Sequence, residues 1–143
     1  MSTSEILFYL GGFPFGFMGA AHLTLTVRDM RRPRHWVPTD QSLVPAMQRT
    51  NVVATRAPMG RSMWRNWLGI HVSHGIGLLV FSSLPILVAL HDYALVSEIP
   101  GFRLVILLAA FLYAVNAIRN FFLPPFVFAS VGIGLFVASA LTG

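Results

Sequence analysis

Four long apolar stretches dominate this sequence and limit what it can fold into. They cover residues 6–27, 67–90, 102–118 and 121–141. A helix needs about 20 mainly apolar residues to cross the hydrocarbon core of a bilayer, and each stretch is close to that length. Only 10% of the residues are charged, and the mean hydropathy is +0.69. The sequence therefore predicts an all-α integral membrane four-helix bundle that forms one transmembrane domain over residues 1–143.

The connection between the first two spans, residues 28–66, is long and rich in arginine. All ten basic residues of the chain are arginines, and eight of them lie in this connection. Since cytoplasmic loops are enriched in Lys and Arg, we expect this loop to be cytoplasmic and both termini to lie on the other side. Ser42 and Pro45 predict that a short surface helix begins inside the loop.

The arginines also indicate a lipid partner. A guanidinium group matches a phosphate well, and basic clusters beside a span attract anionic headgroups. Nucleic acid is not an expected partner, because no nucleic-acid-binding motif accompanies the charge. Asp29, the carboxylate nearest this end of the first span, is expected to pair with its arginine neighbours. The candidate headgroup ligands are Arg28, Arg31, Arg32, Arg34, Arg61 and Arg65.

Small residues recur at four-residue spacing in three of the spans. Helices in a membrane associate through close packing of such residues. We expect these rows to pack the bundle together, with the alternative that one of them faces a partner protein. The rows are Gly12, Gly16, Ala20 and Thr24 in the first span, Gly69, Ser73 and Gly77 in the second, and Ser130, Gly134, Ala138 and Thr142 in the fourth.

Polar side chains are predicted to converge in the half of the bilayer nearest the long loop. Ionisable groups at membrane depth are costly unless they face the interior and find partners. Three interpretations are open: a structural hydrogen-bond network, haem or chlorin ligated through His22 with His74 or His71, or a pocket for a lipid, quinone or sterol-like ligand. A zinc or copper site is a less favoured fourth. The candidate ligand-binding residues are His22, Asn66, His71, His74, Tyr113, Asn116 and Asn120.

Catalytic chemistry has little support in the sequence. There is no cysteine, and none of the five acidic residues lies in the middle of a span. Ser73 and His74 are adjacent, so on a helix they point about 100° apart and cannot form a nucleophile–base pair. An enzymatic function is therefore not favoured.

The segment GRSMWRNWLGIHVSHGIGLL, residues 60–79, resembles a signature of a family of small, uncharacterised four-span bacterial membrane proteins. The likeness covers a Ser-Met-Trp start of the second span and a Gly-x-x-x-Ser-His-x-x-Gly pattern. It extends to a glycine-rich, histidine-containing first helix and a long polar loop. In that family the position of His71 is more often asparagine, which shifts the expected role toward His22 and His74. The resemblance implies a multi-pass protein of a bacterial inner membrane and no particular activity.

The small size, the glycine rows and the lack of mid-span acids favour one function. The chain is expected to be an accessory or structural subunit of a larger membrane complex, bound to other membrane subunits or to copies of itself. The alternative is a protein that binds haem, a pigment, a lipid or a quinone through its histidines.

Overall fold

The computed structural model describes residues 1–52 and 62–143, and these residues are helical apart from connections and an isolated bridge between Asn51 and Ser62. Four helices are long and apolar enough to cross a membrane, which supports a multi-pass membrane protein and is compatible with the predicted helical bundle. Each of the four overlaps one predicted span. The helices are α1 (Thr3–Arg31), α2 (Leu43–Arg49), α3 (Met63–His91), α4 (Ala94–Ser97), α5 (Pro100–Asn120) and α6 (Leu123–Thr142).

The predicted short helix exists as α2 and begins directly after Ser42, but Ser42 does not cap it through its side chain. Ser42 precedes the helix in an αR conformation, and its side chain makes no capping hydrogen bond. The Asp40 carboxylate accepts a hydrogen bond from the Ser42 amide instead, at 2.9 Å. Hydrogen bonds from the Ser42 hydroxyl and amide keep the pKa of the Asp40 carboxyl below its ordinary value. The turn before α2 is therefore held by Asp40.

The chain divides into two compact units, and α1 and α3 contribute to both. Residues 1–18 and 78–143 form the first unit, and residues 19–77 form the second. Phe15 lies in the core of the first unit. Its ring centroid is 4.8 Å from that of Phe81, 6.0 Å from that of Tyr113 and 6.4 Å from that of Phe136.

Buried positions on α3 and α6 alternate steps of four and three residues. On α6 they are Ala129, Gly132, Phe136 and Ser139. A repeat of about 3.5 residues is the spacing of knobs-into-holes packing. One of the α3 positions is a histidine, His71, where an apolar or small residue is usual. The buried residues of α3 are Trp64, Leu68, His71, Gly75, Leu78, Ser82, Pro85 and Ala89.

Two glycines of the predicted α1 row pack against α3. A Cβ atom on Gly16 would lie 2.7 Å from the Ser82 Oγ, and one on Gly12 would lie 3.3 Å from the Ser82 carbonyl oxygen. The Ser82 hydroxyl donates a hydrogen bond of 2.8 Å to the Gly12 carbonyl. Small residues thus bring α1 and α3 close in the first unit, as the sequence predicts for this part of α1.

The predicted rows on α3 and α6 face outward at Gly69, Ser73, Ser130 and Gly134. A Cβ atom on Gly69 or Gly134 would meet no atom of the described chain within 4 Å. Ser73 and Ser130 are exposed, and their hydroxyls bond to carbonyls of their own helices. The physical reason is that residues four apart are offset by about 40° around the helix. A row at that spacing therefore drifts away from a contact face whose positions repeat every 3.5 residues.

Replacing Ser82 with alanine should remove the hydroxyl that joins α3 to Gly12. We expect Ser82→Ala to lower the free energy of unfolding by about 0.6 kcal/mol, the average measured for polar contacts between membrane helices, and by no more than about 1.7 kcal/mol. Ser83→Ala is the matched control, because within the described residues the Ser83 hydroxyl bonds only to Leu79 of its own helix. Equilibrium unfolding in detergent measures both variants. Equal losses would show that the Ser82 contact does not stabilise the fold.

Candidate functional site

Three histidines lie together in the second unit. The ring centroid of His22 is 5.0 Å from that of His71 and 5.1 Å from that of His74. The Nε2 atom of His22 and the Nδ1 atom of His71 are 2.9 Å apart, so the two rings share a hydrogen bond. Gly75 makes this approach possible, because a Cβ atom there would lie 2.7 Å from Leu23 of α1.

Two indole rings cover the histidines. Trp36 stacks on His71 with ring centroids 4.7 Å apart and planes inclined by 13°, and its centroid is 4.5 Å from that of His22. Trp67 meets His71 edge-on at 4.6 Å. The Trp67 Nε1–H group donates to the Trp36 carbonyl at 2.8 Å. We call His22, Trp36, Trp67, His71 and His74 the histidine–tryptophan cluster.

Asp29 holds the segment that carries Trp36. Its side chain is fully buried, and it accepts hydrogen bonds from the backbone amides of Arg34, His35 and Trp36 at 3.2, 2.9 and 2.6 Å. It also pairs with the His35 Nδ1 atom at 2.8 Å. The prediction that Asp29 pairs with arginine side chains is therefore wrong. Residues 34–36 fold back over the end of α1, so backbone amides and His35 reach the carboxylate instead.

One face of α1 supports both the cluster and this segment. His22, Thr26 and Asp29 occur at i, i+4 and i+7, a spacing that places them along one side of a helix. Thr26 is fully buried, and its hydroxyl donates to the His22 carbonyl at 2.8 Å while accepting from Trp36 Nε1–H at 3.1 Å. Trp36 is thus fixed at its amide, its ring nitrogen and its carbonyl.

The remaining amide and phenol candidates have partners of their own. Tyr113 belongs to the aromatic core of the first unit, with its ring centroid 5.5 Å from that of Phe81. The Asn120 side chain donates to Asn116 Oδ1 at 2.7 Å. The Asn66 side chain donates to the Ser62 carbonyl at 3.2 Å. That these residues share a ligand site with the histidines stays a prediction.

The arginines proposed for headgroup binding are at the surface. Arg28, Arg31, Arg32, Arg34 and Arg65 are exposed. Arg61 lies outside the described residues. Within the described part of the chain the only ion pair is the one between Asp29 and His35, so these exposed guanidinium groups have no carboxylate partner there.

The cluster is arranged for hydrogen bonding. Among residues 1–52 and 62–143, no group of three or more His, Asp or Glu side chains is placed to hold a metal ion. A haem bound axially by His22 and His71 would need both rings on opposite sides of a porphyrin, whereas their nitrogens are 2.9 Å apart. The Nε2 atom of His71 is buried and has no hydrogen-bond partner in the described part of the chain.

Comparisons of the chain with protein-family models, with curated proteins and with solved structures find no match.

Proposed function

We propose that the chain is a small accessory or structural subunit of a larger membrane complex. The supporting observation is the outward position of two rows of small residues. Above Gly134 on α6 and Gly69 on α3, no atom of the described chain lies within 4 Å of a Cβ position. Lipid chains do not require small residues, but a second helix can approach closely only where the side chains are small.

The surroundings of the α6 row indicate the kind of partner. Val131 and Val137 beside it are exposed and apolar, and α6 contains no charged residue. The hydroxyls of Ser130 and Thr142 donate hydrogen bonds to carbonyls of their own helix. A surface of this kind suits the apolar face of another transmembrane helix, from a different subunit or from a second copy of this chain.

Filling the groove above Gly134 should weaken this association. We expect Gly134→Leu to weaken the association about tenfold and so to reduce the assembled fraction, because overpacking a close contact costs at least about 1 kcal/mol. Val131→Leu is the control, because position 131 is already large and exposed at 50%. Light scattering on protein purified in mild detergent measures the assembled mass. An unsubstituted protein that is monomeric and carries a stoichiometric ligand, or two variants with equal effects, would contradict the proposal.

A second function, ligand binding at the histidine–tryptophan cluster, is favoured by the unpartnered Nε2 atom of His71. Buried polar atoms nearly always have a hydrogen-bond partner, so such an atom calls for one. Haem or chlorin binding through His22 and His74 would have to break the bond between His22 and His71. A ligand with a hydrogen-bonding group and an apolar body, such as a lipid or a quinone, would leave that bond intact, although it would have to displace the groups that bury His71 Nε2.

A further inference from the structure

Three exposed arginines lie side by side at the end of the first helix. Arg28 and Arg31 belong to the last turn of α1, and the backbone amide of Arg32 still donates to the Arg28 carbonyl at 2.9 Å, as in a continuing helix. Positions i, i+3 and i+4 are neighbours on one side of a helix, and all three side chains are exposed. We propose that Arg28, Arg31 and Arg32, the arginine triad, together bind the phosphate of one anionic phospholipid. The site uses no residue of either function proposed above.

No acidic side chain neutralises the arginine triad within the described part of the chain. The second unit contains only two acidic residues, Asp29 and Asp40. The side chain of Asp29 is fully buried and already accepts from three backbone amides and from His35. Asp40 is exposed and accepts a hydrogen bond from a backbone amide two residues along the chain. The carboxylate closest to the triad in sequence has thus turned inward and leaves the three positive charges unpaired.

The other electrostatic forces at this helix end do not balance the triad. Like charges at i, i+3 and i+4 repel one another and destabilise a helix. The helix macrodipole places roughly half a negative charge at the C-terminal end of α1, which offsets only a small part of three positive charges. An anion from outside the chain is the group that can supply the rest.

The triad lies at the depth of lipid phosphates. The predicted apolar stretch of α1 ends at Val27, and residues 28–32 rise about 1.5–7.5 Å beyond it along the helix axis. The polar layer on each side of the hydrocarbon core is roughly 5–8 Å thick. Arginine side chains also bend along the surface and keep their charged ends in that layer. The phosphate of a neighbouring lipid is therefore within reach of the triad, whereas a soluble anion has to come from the bulk water.

The chemistry of three guanidinium groups favours a lipid with a net negative charge. Each guanidinium fork binds phosphate oxygens in pairs, which a lone ammonium group cannot do. A zwitterionic lipid brings its own cation close to the three arginines, and that cation is repelled. We therefore expect phosphatidylglycerol to bind better than phosphatidylcholine.

The first test uses the full, unsubstituted chain and needs no variant to fold. The protein in mild detergent is mixed with equal amounts of phosphatidylglycerol and phosphatidylcholine, and native mass spectrometry measures the lipid that each chain retains. We expect phosphatidylglycerol to be retained in preference, and the preference to shrink as the ionic strength rises, because salt screens exposed charges. Equal retention of the two lipids would overturn the proposal.

A soluble competitor distinguishes a lipid from a free phosphate. Glycerol phosphate carries the same phosphate chemistry without the acyl chains. At the same concentration as phosphatidylglycerol it should leave the retained lipid unchanged, because it lacks the anchoring of the acyl chains beside the span. If it displaces the lipid, the triad binds a free phosphate and the proposal fails.

The second test compares arginines of equal exposure in the same unit. Arg28→Gln, Arg31→Gln and Arg32→Gln should each weaken the retention of phosphatidylglycerol about fivefold, the effect expected of one cation near a membrane surface. Arg49→Gln is the matched control, because Arg49 is also exposed but ends α2, away from the triad in sequence. It removes the same charge and should leave retention unchanged.

The variants also separate a site from diffuse surface charge. If Arg49→Gln weakens retention as much as the three triad variants do, the lipid responds to net charge alone and the proposal is wrong. The NMR signal of the Trp36 indole N–H group, which donates to Thr26 of α1, shows whether this end of the helix stays folded in each variant. A triad variant that keeps this signal and still retains phosphatidylglycerol fully would likewise refute the site.

Discussion

One added methyl group at Gly132 is expected to destabilise the protein, whereas the same group at Gly134 should be neutral or stabilising. A Cβ atom on Gly132 would overlap the ring of Phe15 and lie 2.9 Å from the Gly11 carbonyl oxygen. The Phe15 ring is held among other aromatic rings and the carbonyl is backbone, so neither can move away easily. We expect Gly132→Ala to lower the free energy of unfolding by about 2–3 kcal/mol.

Gly134 is the matched control, two residues further along the same helix. Nothing in the described chain lies within 4 Å of its Cβ position, so alanine there should gain up to about 1 kcal/mol of helix propensity. Equilibrium unfolding of both variants in a detergent that keeps the chain monomeric measures the difference, which should be about 3 kcal/mol, without a contribution from the proposed association at Gly134. Effects of the same sign and size would show that α6 does not pack on Phe15 through Gly132.

The four long helices were predictable because the length of an apolar stretch reflects bilayer thickness directly. Their ends were less so. Helix α1 continues to Arg31 and α3 already begins at Met63, beyond the apolar limits of the predicted spans. A helix does not stop where lipid stops, because its backbone hydrogen bonds continue as long as the chain permits.

The contact faces could be predicted only in part. In a soluble helix the buried side is recognised by its polarity, but lipid is as apolar as the interior of this protein. On α3, for example, Leu84 and Leu87 are exposed, whereas the polar residue Ser82 is buried. Four-residue spacing of small residues therefore identified Gly12 and Gly16 and misplaced the rows on α3 and α6.

The histidines of the candidate site were predicted from the sequence, whereas the tryptophan that stacks on them, Trp36, was not. His22, His71 and His74 were singled out by their depth in the spans, and the structure brings their rings together. The family resemblance gave His71 less weight than His74, yet His71 is the ring that contacts His22, Trp36 and Trp67. The apolar spans do not by themselves indicate Trp36, because a loop position depends on which backbone amides reach a distant carboxylate.

The sequence of α1 contains an indication that the following loop packs near His22. Thr26 and Asp29 continue the face of His22 at i+4 and i+7, and a buried carboxylate at the end of a helix needs donors. The amides of the following loop are the nearest donors in the chain. A tryptophan seven residues after Asp29 could therefore have been expected to lie near the histidines.

Asp29→Asn is expected to release residues 34–36 from the end of α1. The carboxylate accepts on both oxygens, with Arg34 and His35 Nδ1 at Oδ1 and Trp36 at Oδ2. An asparagine side chain would replace one of these accepting oxygens with an NH₂ group. The N–H groups that bind that oxygen would then face another donor and lose their hydrogen bonds. Breaking such a buried, charge-assisted network costs about 3–5 kcal/mol.

Trypsin cleavage between Arg34 and His35 in detergent measures the release. A loss of about 3 kcal/mol in the free energy of opening raises the cleavage rate about a hundredfold when opening is fast relative to cleavage. Asp40→Asn is the control, since Asp40 is exposed and its acceptor role is local to Ser42. If the two variants are cut at the same rate, Asp29 does not hold Trp36 over the histidines, and the cluster must be covered by its ring contacts alone.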